Sequence, residues 1–411
     1  MIRLITICRG MAAAVLAVFL SPMIAGAGSS AVAAESASPS LSPSDYSAWF
    51  KYEPEAELNW EFIAAPNDPN RVTVRRRGAQ PAGSKKIFVL YPRPSSAYDI
   101  AITKIFEVFA AKRLDIEFTI VNYGNDPDRG RVAVRELKDR RYDLAFSMGS
   151  ESTAWLHDNF RGESIPVVSV CSKDPVELGQ IKDYVKGSET NFAYTSLNMP
   201  IDAQMAYLLD LRPDLRNIGV LVDLKNVSAV QTQAEPLAKA ARQRGIQIHM
   251  VGVKDPAQAK EELAQLVPQA VATMRKSDPT LSNSIFWITG STAVFREIAT
   301  INRHSDRVPV LSAVPEVVRP GDDSAVLSVG VSFESNAHLA AVYGADILTG
   351  RVTAGNLKVG IVTPPDIAIN FRKAREIGLR IPFGFFESAG YIYDYDGRIA
   401  RANGRFVSDG R

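Results

Sequence analysis

An α/β fold of two doubly wound parallel-sheet lobes joined by hinge strands is predicted by three observations. Strand-length apolar runs alternate with helix-length amphipathic segments from residue 85 onward, and the alternation restarts after a polar stretch ending near residue 196. The apolar runs are continuous, as expected for strands of a parallel sheet covered on both faces. Four of them, 89–96, 144–153, 218–228 and 285–292, end in Gly, Ser and Thr clusters where a helix should begin.

In the first lobe the periodicity predicts strands at 87–91, 116–121, 144–148 and 166–170, and helices at 99–112, 129–140 and 151–160. Ile102, Ile105, Phe106 and Phe109 give the first helix its apolar stripe. The second lobe reads as helix 202–211, strand 218–222, helix 228–244, strand 246–251, helix 256–275, strand 284–288, helix 293–302 and strand 308–312. Residues 193–197 form a first hinge strand, and segment 325–330 with helix 337–348, followed by 359–370, crosses between lobes again. The resulting division is a leader at 1–34, an N-terminal extension at 35–84, lobe 1 at 85–196 and about 326–352, lobe 2 at 197–325 and about 353–395, and a tail at 396–411. The extension is rich in Ser, Pro, Asn and Arg with Trp49, Phe50, Tyr52, Trp60 and Phe62, and reads as either a wrap over the core or a mobile arm.

Arg3 and Arg9 precede an apolar stretch at 11–27, and small residues at 31–34 follow. This order predicts a secretory leader cleaved after Ala33 or Ala34 and a periplasmic location. Removing Arg3 and Arg9 takes Lys+Arg from 47 to 45 against 45 Asp+Glu, so the mature chain is formally neutral. That balance argues against nucleic acid as a partner, and Arg75, Arg76 and Arg77 read as a solvated patch. Only Cys171 survives removal of the leader, so no internal disulfide is expected.

Helix N-termini carry partial positive charge and unpaired N–H groups, so a ring of strand-to-helix turns suits a small polar or anionic molecule. The candidate ligand-binding residues are Ser95 and Ser96 after the first strand, Ser150, Ser152 and Thr153 after the third, and Asn226, Ser228, Gly290, Ser291 and Thr292 in the second lobe. Helix capping alone is the competing reading for these hydroxyls. Arg93, between Pro92 and Pro94, can meet an anionic solute or solvent. Asp174 and Glu316 are candidate cation acceptors, with a turn or cap ahead of Pro175 as the alternative for Asp174. Phe333 can stack on a ring or pack in the core.

Catalytic chemistry finds little support. His157, His249, His304 and His338 are widely spaced, Cys171 closes an apolar strand with no His nearby, and Gly149-Ser-Glu-Ser does not make a nucleophile elbow. Neither a dinucleotide fingerprint nor a phosphate-loop lysine is present, so no metal, cofactor or catalytic residue is expected.

Several segments carry a resemblance. Ile165-Pro-Val-Val-Ser-Val-Cys-Ser-Lys-Asp-Pro-Val-Glu-Leu-Gly179, Leu211-Arg-Pro-Asp-Leu-Arg-Asn-Ile-Gly-Val-Leu221 and Ala240-Ala-Arg-Gln-Arg-Gly245 resemble the ABC-transporter substrate-binding family that includes bacterial tryptophan/tyrosine binders. Val308-Pro-Val-Leu311, Gly344-Ala-Asp-Ile-Leu-Thr-Gly350 and the segment from Ile369 to Pro382 follow in the same order, so the likeness spans roughly residues 85–390. The resemblance implies a type I periplasmic-binding-protein fold, three inter-lobe crossings, hinge closure over a small solute, and delivery to an ABC permease in the inner membrane by a monomer. A ligand-sensing accessory of a signalling receptor is the alternative, and a secreted hydrolase the third reading.

The departures bear on the ligand. Thr289-Gly290-Ser291-Thr292 stands where the family usually has an Asp-Asn pair, Leu224 to Ser228 where it has Glu-x-Asn-Ser, and Ser332-Phe333 where it has Asp-Tyr. Acceptors that an amino acid's ammonium group needs are therefore missing, and the ligand class stays open between amino acid, carboxylate and aromatic acid.

Overall fold

The computed structural model describes residues 46–78, 83–139 and 142–407, so the expected leader lies outside the described residues, as do residues 35–45 of the extension. The first lobe runs β1 (Trp60–Ala64), β2 (Arg71–Arg76), β3 (Lys85–Tyr91), α1 (Ser96–Ala111), β4 (Ile116–Asn122), α2 (Pro127–Asp139), β5 (Leu144–Met148), α3 (Gly149–Phe160), β6 (Val167–Val170) and β7 (Phe192–Ala193). A short β8 (Thr195–Ser196) then leads to the second lobe.

There follow α4 (Ile201–Leu211), β9 (Asn217–Asp223), α5 (Val227–Ala229), a π-helical turn at Val230–Ala234, α6 (Glu235–Gln243), β10 (Gln247–Val253), α7 (Ala259–Met274), β11 (Ser284–Ile288), α8 (Thr292–Phe295), α9 (Ile298–His304), β12 (Val310–Ser312) and β13 (Leu327–Gly330). The chain closes with α10 (Phe333–Leu348), β14 (Gly360–Ile361), β15 (Asp366–Asn370), α11 (Phe371–Ile377), α12 (Phe383–Ser388), β16 (Tyr391–Tyr393), β17 (Ile399–Ala402) and β18 (Arg405–Phe406).

The sheets are built alike. One has the order β1-β2-β4-β3-β5-β6-β7 and the other β10-β9-β11-β12-β13-β15-β16-β17-β18. Strands β4-β3-β5-β6-β7 are mutually parallel, as are β10-β9-β11-β12-β13, so each lobe has a five-strand doubly wound unit in the same order. Alternation along each strand explains the covering helices. Ile87, Val89 and Tyr91 meet α1 and α10 through Ile105, Phe109 and Ala341, while Phe88 and Leu90 meet α2 and α3 through Leu137 and Leu156. In the second sheet Ile218, Val220 and Trp287 face Leu208 of α4 and Leu237 of α6, and Leu221, Phe286 and Ile288 face Leu263 of α7 and Ile301 of α9.

Three connections join the lobes: β7 through β8 into α4, β13 into α10, and β14 into β15, with β8 and β14 pairing as a separate two-stranded ribbon. One boundary differs from the expected division. Residues 327–330 belong to the second sheet, because β13 pairs parallel with β12 and antiparallel with β15, and only α10 returns to pack on α1 and β6.

The described extension wraps the first lobe. Strand β2 pairs antiparallel with β4, and Trp49, Phe50 and Trp60 are buried, with Trp60 lying 5.3 Å from Phe106 and 5.4 Å from Phe118, ring centre to ring centre. Burying aromatic surface of this size favours an ordered wrap by roughly 2–3 kcal/mol per ring.

The expected tail also differs, since β17 and β18 extend the second sheet as a hairpin turning at Asn403 and Gly404, both at positive φ. Arg401 anchors it, donating from Nη1 to the carbonyls of Phe386, Glu387 and Ala389 at 2.8, 3.2 and 3.0 Å.

The expected long helix at 228–244 is interrupted by the π turn, where Asn198 Nδ2 donates to the Thr232 carbonyl at 2.6 Å. The expected helix at 293–302 divides into α8 and α9, and the one expected from Pro256 begins as a 3-10 turn ahead of α7. No helix among the described residues is long and apolar enough to cross a membrane.

Candidate functional site

In a doubly wound sheet the strand order reverses between its first and third strands, and the crevice outside those carboxyl ends is where ligands bind. Here the reversals lie between β3 and β5 and between β9 and β11. The loops leaving all four strands meet at one cavity of about 40 Å³, to which the first lobe contributes Arg93, Ser95, Tyr98, Ser150, Glu151 and Lys173 and the second Asn226, Ser228, Gly290 and Thr292. Cys171, Leu197 and Phe333, beside the crossings, supply its apolar side. A volume this small holds only a few water-sized spheres, so a solute of several heavy atoms enters by parting the lobes.

Local sequence explains the turns. Ser95 caps α1 by accepting from the Ala97 N–H at 3.3 Å, and Asn226 caps α5 by accepting from Ala229 at 3.2 Å. Helix α3 starts on Gly149 at φ 75°, where a β-carbon would collide with the Tyr98 hydroxyl, so glycine is needed both for the turn and for the ring beside it. Gly290 is needed for a different reason: a β-carbon there would collide with the Lys173 ammonium.

The sequence candidates separate into two groups. Ser95, Ser150, Asn226, Ser228, Gly290, Thr292 and Phe333 line the cavity. Ser152 turns its hydroxyl to the carbonyls of Leu90 and Met148 at 3.0 and 2.8 Å, and Thr153 to that of Gly149 at 2.8 Å. Ser291 Oγ accepts from the Asp223 N–H and shares a hydrogen bond with Thr289. Ser96 is exposed at the start of α1. Asp174 caps its own turn, accepting from Val176 and Glu177 N–H at 2.9 and 3.1 Å and from the Tyr184 hydroxyl at 2.9 Å.

Glu316 sits beside the start of α10, where Oε1 accepts from the Phe333 N–H at 2.6 Å and Oε2 is enclosed without a partner among the described residues. Burial, together with the nearby Asp366 and Glu334 carboxylates, pushes its carboxyl up to about 7, against the backbone hydrogen bonds that lower it. Between about pH 4.5 and 7 the folded protein thus holds a proton that the unfolded chain gives up, and stability falls as pH rises through this window. Glu316→Gln is expected to flatten that slope and to raise stability at pH 7 by about 1 kcal/mol, a figure discounted for the residue's partial exposure. Urea denaturation at pH 5 and 7 checks this, and an unchanged slope contradicts it.

Lys173 was not legible as a site residue, because nothing in the local sequence marks a lysine between Ser172 and Asp174 as buried. It is only 5% exposed, its N–H donates to Ser150 Oγ at 2.9 Å, and its side chain crosses the cavity toward Gly290. Among the described residues its ammonium makes no hydrogen bond or ion pair. Burial lowers its pKa to about 8, partly offset by Cys171 and Glu151. Glu151 itself is taken by Arg93, at 3.1 Å from Nη2. Gln233, in the π turn, accepts the Gly290 N–H at 2.7 Å and completes the wall. Cys171 closes β6 at φ 53°, and burial raises its thiol far above the ordinary range. Gly290→Ala is expected to push the Lys173 ammonium out of the cavity at little cost in stability, because the colliding atom ends a flexible chain. Loss of solute binding with the melting temperature held within 2–3 °C, on the order of 1 kcal/mol, is the expected result. Unchanged affinity contradicts it.

No protein-family model matches the chain, and no curated protein matches it in sequence. Solved structures do. An ABC domain in complex with L-Trp from Streptococcus pneumoniae is 17% identical with a TM-score of 0.56, over 75% of this chain and all of that one. A conserved domain protein from Vibrio cholerae is 18% identical with a TM-score of 0.60, over 75% of this chain and 99% of the other. The ligand-free, open form of a substrate-binding protein with adhesive properties from Clostridium difficile is 18% identical with a TM-score of 0.55, over 74% of this chain and 98% of its own. Two sheets of matched order, three crossings and these likenesses together give this chain the type I periplasmic-binding-protein fold.

Proposed function

We propose that the chain is an extracytoplasmic solute-binding protein, exported by a leader at 1–34. It captures a small polar or aromatic solute between its lobes and delivers it, as a monomer, to an ABC permease in the inner membrane. The observation that carries this reading is the convergence of strand ends from both sheets on one cavity lined by both lobes. Closure about the three crossings follows from contacts that are better in the closed arrangement. A swing from 1:99 to 99:1 asks about 5.5 kcal/mol of such preference, within reach of several charge-assisted hydrogen bonds.

The fold also suits a sensing accessory that docks its closed form on a receptor, since the same hinge serves both. The hydrolase reading has less support, because no histidine lines the cavity among the described residues and the Cys171 thiol is held protonated by burial. Mass spectrometry of small molecules released on denaturing the purified chain tests the proposal. An intact solute that stabilises the chain when added back, by about 2.7 kcal/mol at 100 times its dissociation constant and seen as a raised melting temperature, is the expected result. Turnover of that solute by the pure protein contradicts it.

A further inference from the structure

We propose that the solute carries an anionic group of the carboxylate class, which docks on the Lys173 ammonium between the lobes. The inference rests on the solute-binding reading above and specifies what the cleft recognises.

The cavity is lined by two cations, Arg93 and Lys173, and one carboxylate, Glu151, which Arg93 already holds at 3.1 Å. The other titratable groups lining the cavity, Cys171 and Tyr98, are kept neutral by burial; Gln233 and Gly290 come up to Lys173 from the second lobe, while the buried Asp223 carboxylate at the end of β9 acts on Arg93 and the Glu316 carboxyl on Cys171. Lys173, 5% exposed as a residue, therefore has no ion pair among the described residues. An unpaired buried charge is unfavourable, and a carboxylate supplies both the missing charge and the missing acceptors.

The polar lining points the same way. Asn226 Oδ1 accepts from the Ala229 N–H and the Ser228 hydroxyl, which leaves its Nδ2 to donate. Ser150 Oγ accepts from the Lys173 N–H, so its own proton is free to be given. Gln233 Oε1, an acceptor on the opposite wall, is taken by the Gly290 N–H. Beside Lys173, the Ser150 hydroxyl and Asn226 Nδ2 thus remain as donors while their oxygens are taken, an arrangement that suits an anion. Tyr98, Leu197 and Phe333 offer an apolar surface to the body of the solute.

The test uses the purified full chain and matched pairs of probes: benzoate with benzamide, 3-phenylpropanoate with its amide, and free phenylalanine and tryptophan. Carboxylates are expected to bind wild type about 30-fold more tightly than their amides, with the difference abolished in Lys173→Met and partly kept in Lys173→Arg. Carboxylate affinity falls as pH rises above about 8, where Lys173 loses its proton, while amide affinity stays flat. Retained melting transitions for both variants separate lost recognition from lost folding. Equal binding of acids and amides by wild type, or unchanged carboxylate binding by Lys173→Met, overturns the anion assignment and leaves the solute-binding reading standing. No stabilisation by any probe, with no small molecule released from the denatured chain, removes the solute-binding reading and this inference with it.

Discussion

Lys173→Met is expected to stabilise the solute-free protein by about 3 kcal/mol at pH 7, the gain following from the depression of the ammonium's pKa from 10.5 to about 8. The sign is fixed by proton counting. Between about pH 8 and 10.5 the unfolded chain binds a proton at Lys173 that the folded chain has lost, so wild-type stability rises with pH across this window. Below about pH 8 the amine, charged and without an ion pair among the described residues, weighs against folding. Methionine has a similar length, no charge and no donor to satisfy, so the variant loses both the penalty and the slope. Urea denaturation of both proteins at pH 7 and pH 10.5 checks this: the gap should be largest at pH 7 and close toward pH 10.5. Equal stability at pH 7 contradicts it. A residue retained against stability at the meeting point of two lobes is what a binding role predicts, since function is where local rules are broken.

The second large effect is expected at Asn336, a fully buried residue of α10. Its Oδ1 accepts from the Cys171 N–H at 2.7 Å and from the Thr195 hydroxyl at 3.2 Å, and so ties the end of β6, the hinge strand β8 and α10 together. Cys171 has the left-handed backbone that non-glycine residues seldom adopt, and a held N–H there helps to fix the loop that carries Lys173. Asn336→Ala strands a buried backbone donor, which costs about 1–3 kcal/mol, and opens a small cavity besides. Part is returned, because Asn336 Nδ2 is itself buried without a partner among the described residues. A net loss of about 2 kcal/mol is expected from the urea midpoint, with weaker solute binding as a consequence of the loosened β6 loop. A loss below about 0.5 kcal/mol contradicts the role given to this amide.

Much of the fold was legible because it rests on apolar periodicity. Strands 144–148 and 284–288 match β5 and β11 residue for residue, since each is a short apolar run bounded by polar turns. The elements missed lie where tertiary partners decide. Strand β1 is amphipathic and becomes a strand by pairing with β2, and the π turn at Val230–Ala234 is invisible to a helical period. Local signals do exist for two further features: Asn403-Gly404 is a hairpin turn, and Asn370 with Gly378 caps both ends of α11.

At the cavity, hydroxyls near strand ends could be recognised as turn residues, yet sequence could not say which way each pointed. Ser150 and Ser152 are two residues apart on the same helix start, and only Ser150 lines the cavity, whereas Ser152 closes onto Leu90 and Met148. Lys173 escaped for the opposite reason. Its exposure is set by Gly290, more than a hundred residues away, and no local pattern carries that information.

The measurement that tests the account most directly is the distance between nitroxide labels on the two lobes, at Arg131 on α2 and Arg242 on α6, before and after addition of a solute that raises the melting temperature. Both positions are exposed, and the buried Cys171 thiol does not compete for the label. Two lobes closing on one guest predict a broad, longer distribution that narrows and shortens on binding. A distribution that does not move while the solute binds contradicts the claim that both strand-end surfaces grip the same molecule.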